Sequence, residues 1–364
     1  MPDSVAIAGA GIIGLSIAWQ LANSGTLITV FDAREAGGEA SWAGAGMLSL
    51  GGEIEAGSEI ASLAIESRAL YPSFVRALES ASGLSIDYQE CGALDLAYSQ
   101  EDWQELQARL YGQAPFELNH RVLNAQQIAS FWPRVRREGL VAGLFYPGDG
   151  VVNPRELIAA LKVACRRAGV SLCEGCPVQN VRVQRDSVSV KTERGEGDFA
   201  AAVVAAGAWS NTIRVTGTPE LPFAEPVKGH LIGYLQPDQT CNTIIRHGHT
   251  YLLQRANGLL IVGASMEHVG FDRLVKPERV TELVRQAAEI MPHLAETSPT
   301  EVWTGFRPAS TKLQLGAWGS PRLLLAYGHL RNGILLAPVT AQRIREELSA
   351  SLRTHSFVAD ERPQ

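Results

Sequence analysis

The sequence predicts an α/β fold of two interleaved domains, and three observations carry that expectation. Near the N-terminus a short apolar run meets glycines spaced G-x-G-x-x-G, in Val5-Ala6-Ile7-Ala8-Gly9-Ala10-Gly11-Ile12-Ile13-Gly14, and an apolar helix follows. Continuous apolar strands of the same kind return at 201–206 and 323–327, each followed directly by a glycine. Between them lie two regions whose short strands alternate apolar and polar residues, the texture of an antiparallel sheet. The expected architecture is a Rossmann-like domain made from 1–85, 145–215 and 300–364. It is interleaved with an antiparallel-sheet (α+β) domain made from 86–144 and 216–299.

The opening turn is built for a dinucleotide. Gly9 permits the sharp exit from the strand, Gly11 lets a pyrophosphate approach the backbone, and Gly14 lets the helix pack close to the sheet. The amides of the helix N-terminus then face the phosphate charge. A second strand, Leu27-Ile28-Thr29-Val30-Phe31, ends at Asp32, about twenty residues past the turn, where a ribose hydroxyl needs an acceptor. The first helix is expected over 15–23.

The stretch Ser41-Trp42-Ala43-Gly44-Ala45-Gly46-Met47-Leu48 is rich in small residues and free of charge, which suits a backbone pressed against a flat ligand. Leu63, Leu70, Phe74 and Leu78 recur at helical spacing and predict a helix over 60–80. The run 93–98 reads as a strand, 100–111 as a charged helix, and 144–152 as a turn-rich strand pair. Asn153-Pro154 has the chemistry of an N-cap followed by a first helical residue, so the next helix is expected over 155–168. Strands follow at 169–172 and 178–190. The apolar run at 201–206, its glycine and a helix after it repeat the opening motif in kind. Alternating strands fill 226–266, an amphipathic helix covers 277–291, and a closing helix is expected over 339–352 after the last buried strand.

Bulk properties exclude several roles. The formal charge is -6, with 46% hydrophobic and 19% charged residues. No cationic excess serves a nucleic acid or an acidic membrane surface. The N-terminal apolar run has no basic segment ahead of it and is broken by glycines, so it reads as a core strand and not as a signal peptide. No apolar stretch is long enough to span a bilayer. Five cysteines, scattered and odd in number, suit reduced thiols in the cytoplasm. Cys173 and Cys176 have metal-pair spacing, and His247 and His249 share a strand face, yet neither pair finds further ligands in the sequence. No metal is expected.

The glycine turn at 9–14, the 41–48 stretch, 203–210, Gly305-Phe306-Arg307-Pro308 and Gly328-His329-Leu330-Arg331-Asn332-Gly333-Ile334-Leu335-Leu336-Ala337-Pro338 together resemble the FAD-dependent D-amino acid oxidase superfamily, in the same order over nearly the whole chain. Within it the resemblance is to the glycine oxidases of bacterial thiamine synthesis.

The resemblance implies FAD as cofactor. It assigns Gly9, Gly11, Ile12, Ile13 and Gly14 to the pyrophosphate turn, and Asp32 and Ala33 to the adenosine ribose. Ala40, Ser41, Ala45, Gly46 and Met47 would line the FAD. Val178 would meet the adenine, and His329, Leu330, Arg331, Asn332, Gly333, Ile334 and Leu335 would form the turn at the pyrimidine end of the flavin. Arg307 matches the arginine that pairs with a substrate carboxylate, Tyr251 an active-site tyrosine, and Arg331 a second residue at the substrate. Relatives with covalent flavin use a late cysteine. The last one here is Cys241, so the FAD is expected to be noncovalent. One loop departs from the pattern, since Thr311-Lys312-Leu313-Gln314-Leu315-Gly316 stands where such enzymes carry Asp and Pro. That loop is expected near the flavin.

The implied reaction is oxidative deamination of glycine and other small amines, such as sarcosine and small D-amino acids. The products would be the imine or 2-oxo acid, ammonia and hydrogen peroxide. The cofactor carries this chemistry. If the amine binds neutral, a hydride can pass directly to flavin N5, so no side chain is assigned as catalytic. A planar arginine fork suits a carboxylate better than lysine, which favours Arg307 for that role. The rival readings are a D-amino acid dehydrogenase, a broader D-amino acid oxidase, and a flavin-binding protein without turnover. Relatives are often homo-oligomers, commonly tetramers. Expected partners are a small amino acid and oxygen, with no nucleic acid and no membrane.

Overall fold

Burial in the first strand, Ser4–Ala8, has a period of two and decides the layering of half the molecule. Val5 and Ile7 join a core with the helices Ile12–Ala22, Ala61–Ser82, Pro154–Arg167 and Gly333–Ala359. Ala6 and Ala8 face the other way, onto Val181, Val188 and Val190 of a four-stranded sheet. The computed structural model describes residues 4–52, 54, 57–236, 238 and 241–359, the side chains of 351–359 excepted.

The first strand lies inside a six-stranded sheet. The order is Gln314–Ala317, Leu323–Tyr327, Ala201–Val204, Ser4–Ala8, Leu27–Phe31, Ser171–Cys173. All its pairings are parallel except the one at the Gln314–Ala317 edge. Helices cover one face and the four-stranded sheet covers the other, so the apolar runs at 5–8, 201–204 and 323–327 are buried on both sides.

The alternating strands assemble separately. Eight of them run in the order Glu301–Ser310, Ala224–Leu235, Leu259–Gly263, Thr250–Gln254, Ile244–His247, Ala93–Ala97, Ala142–Tyr146, Arg121–Asn124. One face packs on the helix Pro277–Ile290 through Ile232, Leu252 and Val262. The opposite face carries Leu231, Tyr251, Leu253 and Trp303 against Ala43 and Ala45 of the small-residue stretch.

Several local expectations need correcting. The 144–152 segment is not a strand pair. Ala142–Tyr146 belongs to the eight-stranded sheet, whereas Gly150–Val152 pairs with Met47–Leu48 and Tyr88–Gln89 in a small third sheet. The turn between them passes the chain from one sheet to another, and Asp149 fixes it by accepting from the amides of Leu50 and Gly51. The strand ending at Val204 leads into a 3-10 turn, Gly207–Thr212, and not an α-helix. The first helix starts at Ile12, earlier than the expected 15, and the amide of Leu15 bonds to Gly11 O across 2.9 Å. The closing helix starts at Gly333, because Pro338 lies inside it. The Asn153 cap holds: its side chain accepts from the Arg155 amide, with Pro154 as the first helical residue.

Candidate active site

The two sheets meet over one cleft of about 360 Å³. The parallel sheet contributes the turn after its first strand. Gly9 has φ +110, and a Cβ there would lie 2.3 Å from Ala205 O; a Cβ on Gly14 would lie 1.9 Å from Gly9 O. Neither position accepts a side chain. Gly11 differs, since the nearest atom to a Cβ there is Ser41 Oγ at 3.2 Å. Its glycine leaves space in the cleft instead of avoiding a backbone clash. Ser41 Oγ also accepts from the Ile12 amide across 2.9 Å. This is a tertiary cap, because the N-cap residue Gly11 has no side chain to offer.

Asp32 closes the corner beside this turn. Its Oδ2 accepts from the Ala10 amide at 2.7 Å and its Oδ1 from the Arg34 amide at 2.9 Å. Burial pushes its carboxyl above the usual carboxylate range, against the two amides that pull it down. Nearby, Glu39 bonds both Arg34 at 2.5 Å and Arg273 at 2.8 Å.

The small-residue stretch forms the next wall. It contains a short helix, Ala40–Ala43, then the strand Met47–Leu48. A Cβ on Gly46 would lie 1.9 Å from Val152 O, and one on Gly305 would lie 2.5 Å from the Ala43 Cβ. Arg255, buried at 4% exposure, donates to Val152 O at 2.6 Å and to Ala45 O at 2.5 Å. Burial lowers its pKa to about 10, so it stays charged at neutral pH.

The eight-stranded sheet supplies the opposite wall. Tyr251 lies directly across from Gly263, and a Cβ on Gly263 would lie 2.3 Å from the Tyr251 hydroxyl. Arg307 pairs in register with Val227, and its guanidinium crosses the bare backbone of Gly229, where a Cβ would lie 2.5 Å from Nη1. Arg307 Nη1 also donates to Ser265 O at 3.1 Å. The turn before the last helix completes the cleft. The Leu330 amide bonds Pro308 O at 3.0 Å, with Leu330 at φ 47. His329 is buried, its Nε2 lies 3.0 Å from Thr340 Oγ1, and burial holds its imidazole down at about 3, so it is neutral.

The residues singled out from the sequence therefore meet. Gly9, Gly11, Ile12, Ile13, Asp32, Ala33, Ala40, Ser41, Ala45, Gly46, Met47, Val178, Tyr251, Arg307 and His329 through Ile334 all line this cleft. Gly14 and Leu335 are not in its wall. Gly14 packs on Gly9, and Leu335 is buried in the helical core with its carbonyl bonded to Ser67 Oγ. Thr311 to Gly316 do not line the cleft but stand directly behind its wall, where a Cβ on Gly328 would lie 3.1 Å from Lys312 O. Part of this loop is an edge strand held on Leu323–Tyr327, and Glu347 accepts the neighbouring Ala317 amide.

Sequence reasoning passed over an aromatic cluster, of which Trp209 and Phe306 line the cleft. Trp209 stacks on Phe271 at 4.7 Å, and Phe306 meets both edge-on. The 203–210 motif could have pointed to Trp209. Nothing local marks Phe271, which lies far from its partners in sequence. Among the described residues, no cluster of His, Cys, Asp and Glu could hold a metal, and no helix is long and apolar enough to cross a membrane.

The cleft fits FAD: its glycine turns exclude side chains, Ser41 and the first helix turn border it, and Asp32 stands at its corner. Comparison with known proteins agrees. Residues 4–347 match the DAO family model, described as FAD dependent oxidoreductase. The chain is 31% identical to a glycine oxidase of Geobacillus kaustophilus over 92% of this chain and 90% of that one. It is 33% identical to a bifunctional ThiO/ThiG protein of Trichormus variabilis over 95% of this chain, but spans only 52% of that longer protein. The crystal structure of the glycine oxidase from Geobacillus kaustophilus superposes with a TM-score of 0.89 at 29% identity, covering 95% of this chain and 94% of that one. The same turn, the same cleft and a family match over most of the sequence lead to one conclusion: the chain is a member of the DAO family of FAD dependent oxidoreductases.

Proposed function

We propose that this oxidoreductase oxidises glycine, and accepts sarcosine and small D-amino acids. The observation that carries the reading is Arg307, an arginine fork lining the same cleft as the dinucleotide turn. The glycine oxidase and ThiO/ThiG relatives support the same substrate and a place in thiamine synthesis. Arg307 takes the substrate carboxylate through two parallel charge-assisted hydrogen bonds, which fixes the pose of the α-carbon. Tyr251 and Arg331 bound the rest of the amino acid. FAD, when bound, supplies the acceptor for the α-hydride.

The side chains around the cleft support chemistry without a general base. Asp32 is engaged by two backbone amides, Glu39 by two arginines, and His329 is neutral and bonded to Thr340. The products are the imine, its hydrolysis products glyoxylate and ammonia, and hydrogen peroxide with oxygen as acceptor. Among the described residues no cysteine lines the cleft, in keeping with noncovalent FAD. We assign the FAD domain to 1–85, 145–215 and 300–364 and the substrate domain to 86–144 and 216–299. The third FAD-domain segment begins with a strand, Glu301–Ser310, that crosses over to pair within the eight-stranded sheet, which brings Arg307 to the cleft. The working form is taken as a cytoplasmic homo-oligomer, a tetramer being the expected size.

Anaerobic addition of glycine to the holoenzyme tests the substrate. Bleaching of the flavin spectrum is expected, and an unchanged spectrum sinks the reading. Peroxide formed per glycine consumed under air separates an oxidase from a dehydrogenase.

A further inference from the structure

Behind Arg307, on the side of the sheet away from the cleft, lies a set of polar groups, buried at its centre, that the reaction does not use. His230 and Lys228 are both 0% exposed, on the strand Ala224–Leu235. Their neighbours in sequence, Gly229 and Leu231, line the cleft, so alternation turns His230 and Lys228 to the other face. There they meet the segment leading from Gly263 to the helix Pro277–Ile290.

The bonds form one chain. The Ser265 carbonyl accepts from Arg307 Nη1 at 3.1 Å. The Ser265 hydroxyl accepts from the His230 amide at 2.9 Å and donates to Glu267 Oε1 at 3.2 Å. His230 Nδ1 lies 3.0 Å from the same Glu267 oxygen. His230 Nε2 accepts from the Lys276 amide at 3.1 Å. Nε2 therefore carries no proton, and the ring proton sits on Nδ1, facing both Glu267 Oε1 and Ser265 Oγ, each 3.0 Å away. Glu267 Oε2 is held by Lys276 Nζ at 3.2 Å and Arg279 Nε at 3.4 Å. Lys228 Nζ binds Leu274 O and lies 3.4 Å from Asp272. A neutral His230 thus ties both ends of the 265–276 segment to the sheet.

We propose that His230 is a positioning residue for carboxylate recognition: it holds Ser265, and through the Ser265 carbonyl sets the Arg307 fork, only while its ring is neutral. The proposal rests on Arg307 being the carboxylate residue. A second proton on His230 would sit on Nε2 and face the Lys276 amide, donor against donor. The clasp opens at its Lys276 end, and the Ser265 end is left on the His230 amide and Nδ1 alone, so the Ser265 carbonyl is held less firmly. Burial favours the neutral ring, with Glu267 opposing and Lys228 and Lys276 assisting. The clasp is therefore intact above the ordinary histidine value of 6.5 and is lost as acid forces the proton on.

The test uses holoenzyme and acetate, a carboxylate without the amine, followed by its perturbation of the flavin spectrum. His230→Gln can still accept from the Lys276 amide but does not titrate. Wild type should lose acetate affinity relative to this variant, by about threefold or more, as the pH is taken from 7.5 down through the range below 6.5 to the lowest pH at which the holoenzyme stays folded; the ratio at each pH cancels titration of acetate itself. His230→Leu, which cannot accept, should bind acetate about tenfold more weakly across that range, as expected for one lost buried hydrogen bond. Its limiting rate of flavin reduction at saturating glycine should stay within about twofold of wild type. If His230→Leu does not fold, Ser265→Ala removes the next link and should weaken acetate in the same direction. A constant ratio between wild type and His230→Gln, or wild-type affinity in His230→Leu or Ser265→Ala, overturns the proposal. Unchanged acetate binding in Arg307→Ala overturns the reading of Arg307 itself, whatever His230 does.

Discussion

The Tyr71 hydroxyl donates to the carbonyl of Ile334 across 2.7 Å, and that carbonyl is the one Pro338, four residues on, has no amide to satisfy. Ser67 does the same one residue later. Its hydroxyl donates to Leu335 O at 2.6 Å and accepts from the Val339 amide at 3.4 Å. Two hydroxyls of the helix Ala61–Ser82 thus splice the last helix where proline interrupts it. Tyr71→Phe leaves a buried carbonyl unpaired and should cost about 1–3 kcal/mol in urea denaturation. Flavin affinity should fall too, because the spliced turn is part of the cleft wall. An unchanged denaturation midpoint would show that the splice is dispensable.

The glycines of the first turn should separate by phenotype. Gly14→Ala drives a Cβ into the Gly9 carbonyl and should prevent folding or lower the Tm by many degrees. Gly11→Ala meets only Ser41 Oγ at 3.2 Å, so the apoprotein should keep near wild-type stability. Its methyl group stands in the cleft, and FAD affinity should drop about tenfold or more. Titration of the refolded apoproteins with FAD, beside their melting curves, distinguishes the two.

Arg255 holds two cleft-side carbonyls with a buried charge. Arg255→Met releases both the Ala45 and Val152 carbonyls without a replacement donor. A loss of about 3 kcal/mol is expected, with flavin released during purification. Full flavin content and unchanged stability would remove Arg255 from the account of the site.

His329 predicts an acid sensitivity with a definite sign. Its folded value, about 3, lies below the ordinary 6.5. Below pH 6.5 the unfolded chain takes a proton that the folded one refuses, so stability falls with pH until the folded value is reached. Each pH unit in that window costs about 1.4 kcal/mol, or about 2 kcal/mol between pH 6.5 and 5. The slope should flatten in His329→Asn, as measured by denaturation at several pH values. An equal slope in both proteins would show that other groups dominate acid unfolding.

The sequence was most legible where structure is set by neighbours. The strand, turn and helix at 4–22 depend on adjacent glycines, and the Asn153 cap on the next two residues. It was least legible where a distant group supplies what the local chain lacks. Pro338 reads as a helix boundary until Tyr71 and Ser67 fill its missing bonds. The strands around 144–152 read as a pair because proximity along the chain says nothing about Asp149, whose bonds to the Leu50 and Gly51 amides turn the second strand into another sheet. For the site, Asp32 and the glycines carry their chemistry in their spacing. Arg307 and Tyr251 owe their place to facing glycines, Gly229 and Gly263, on neighbouring strands. No short window contains that relation.

The strand order of the parallel sheet has a consequence for biosynthesis. The strand Ser4–Ala8 lies next to Ala201–Val204, which in turn pairs with Leu323–Tyr327, each made later than the one before. The turn that completes the cleft follows later still, at 329–334. A ribosome must therefore emit everything up to residue 334 before the glycine turn at 9–14 gains its opposite wall. A nascent product cut before residue 334 is therefore expected to hold no cofactor.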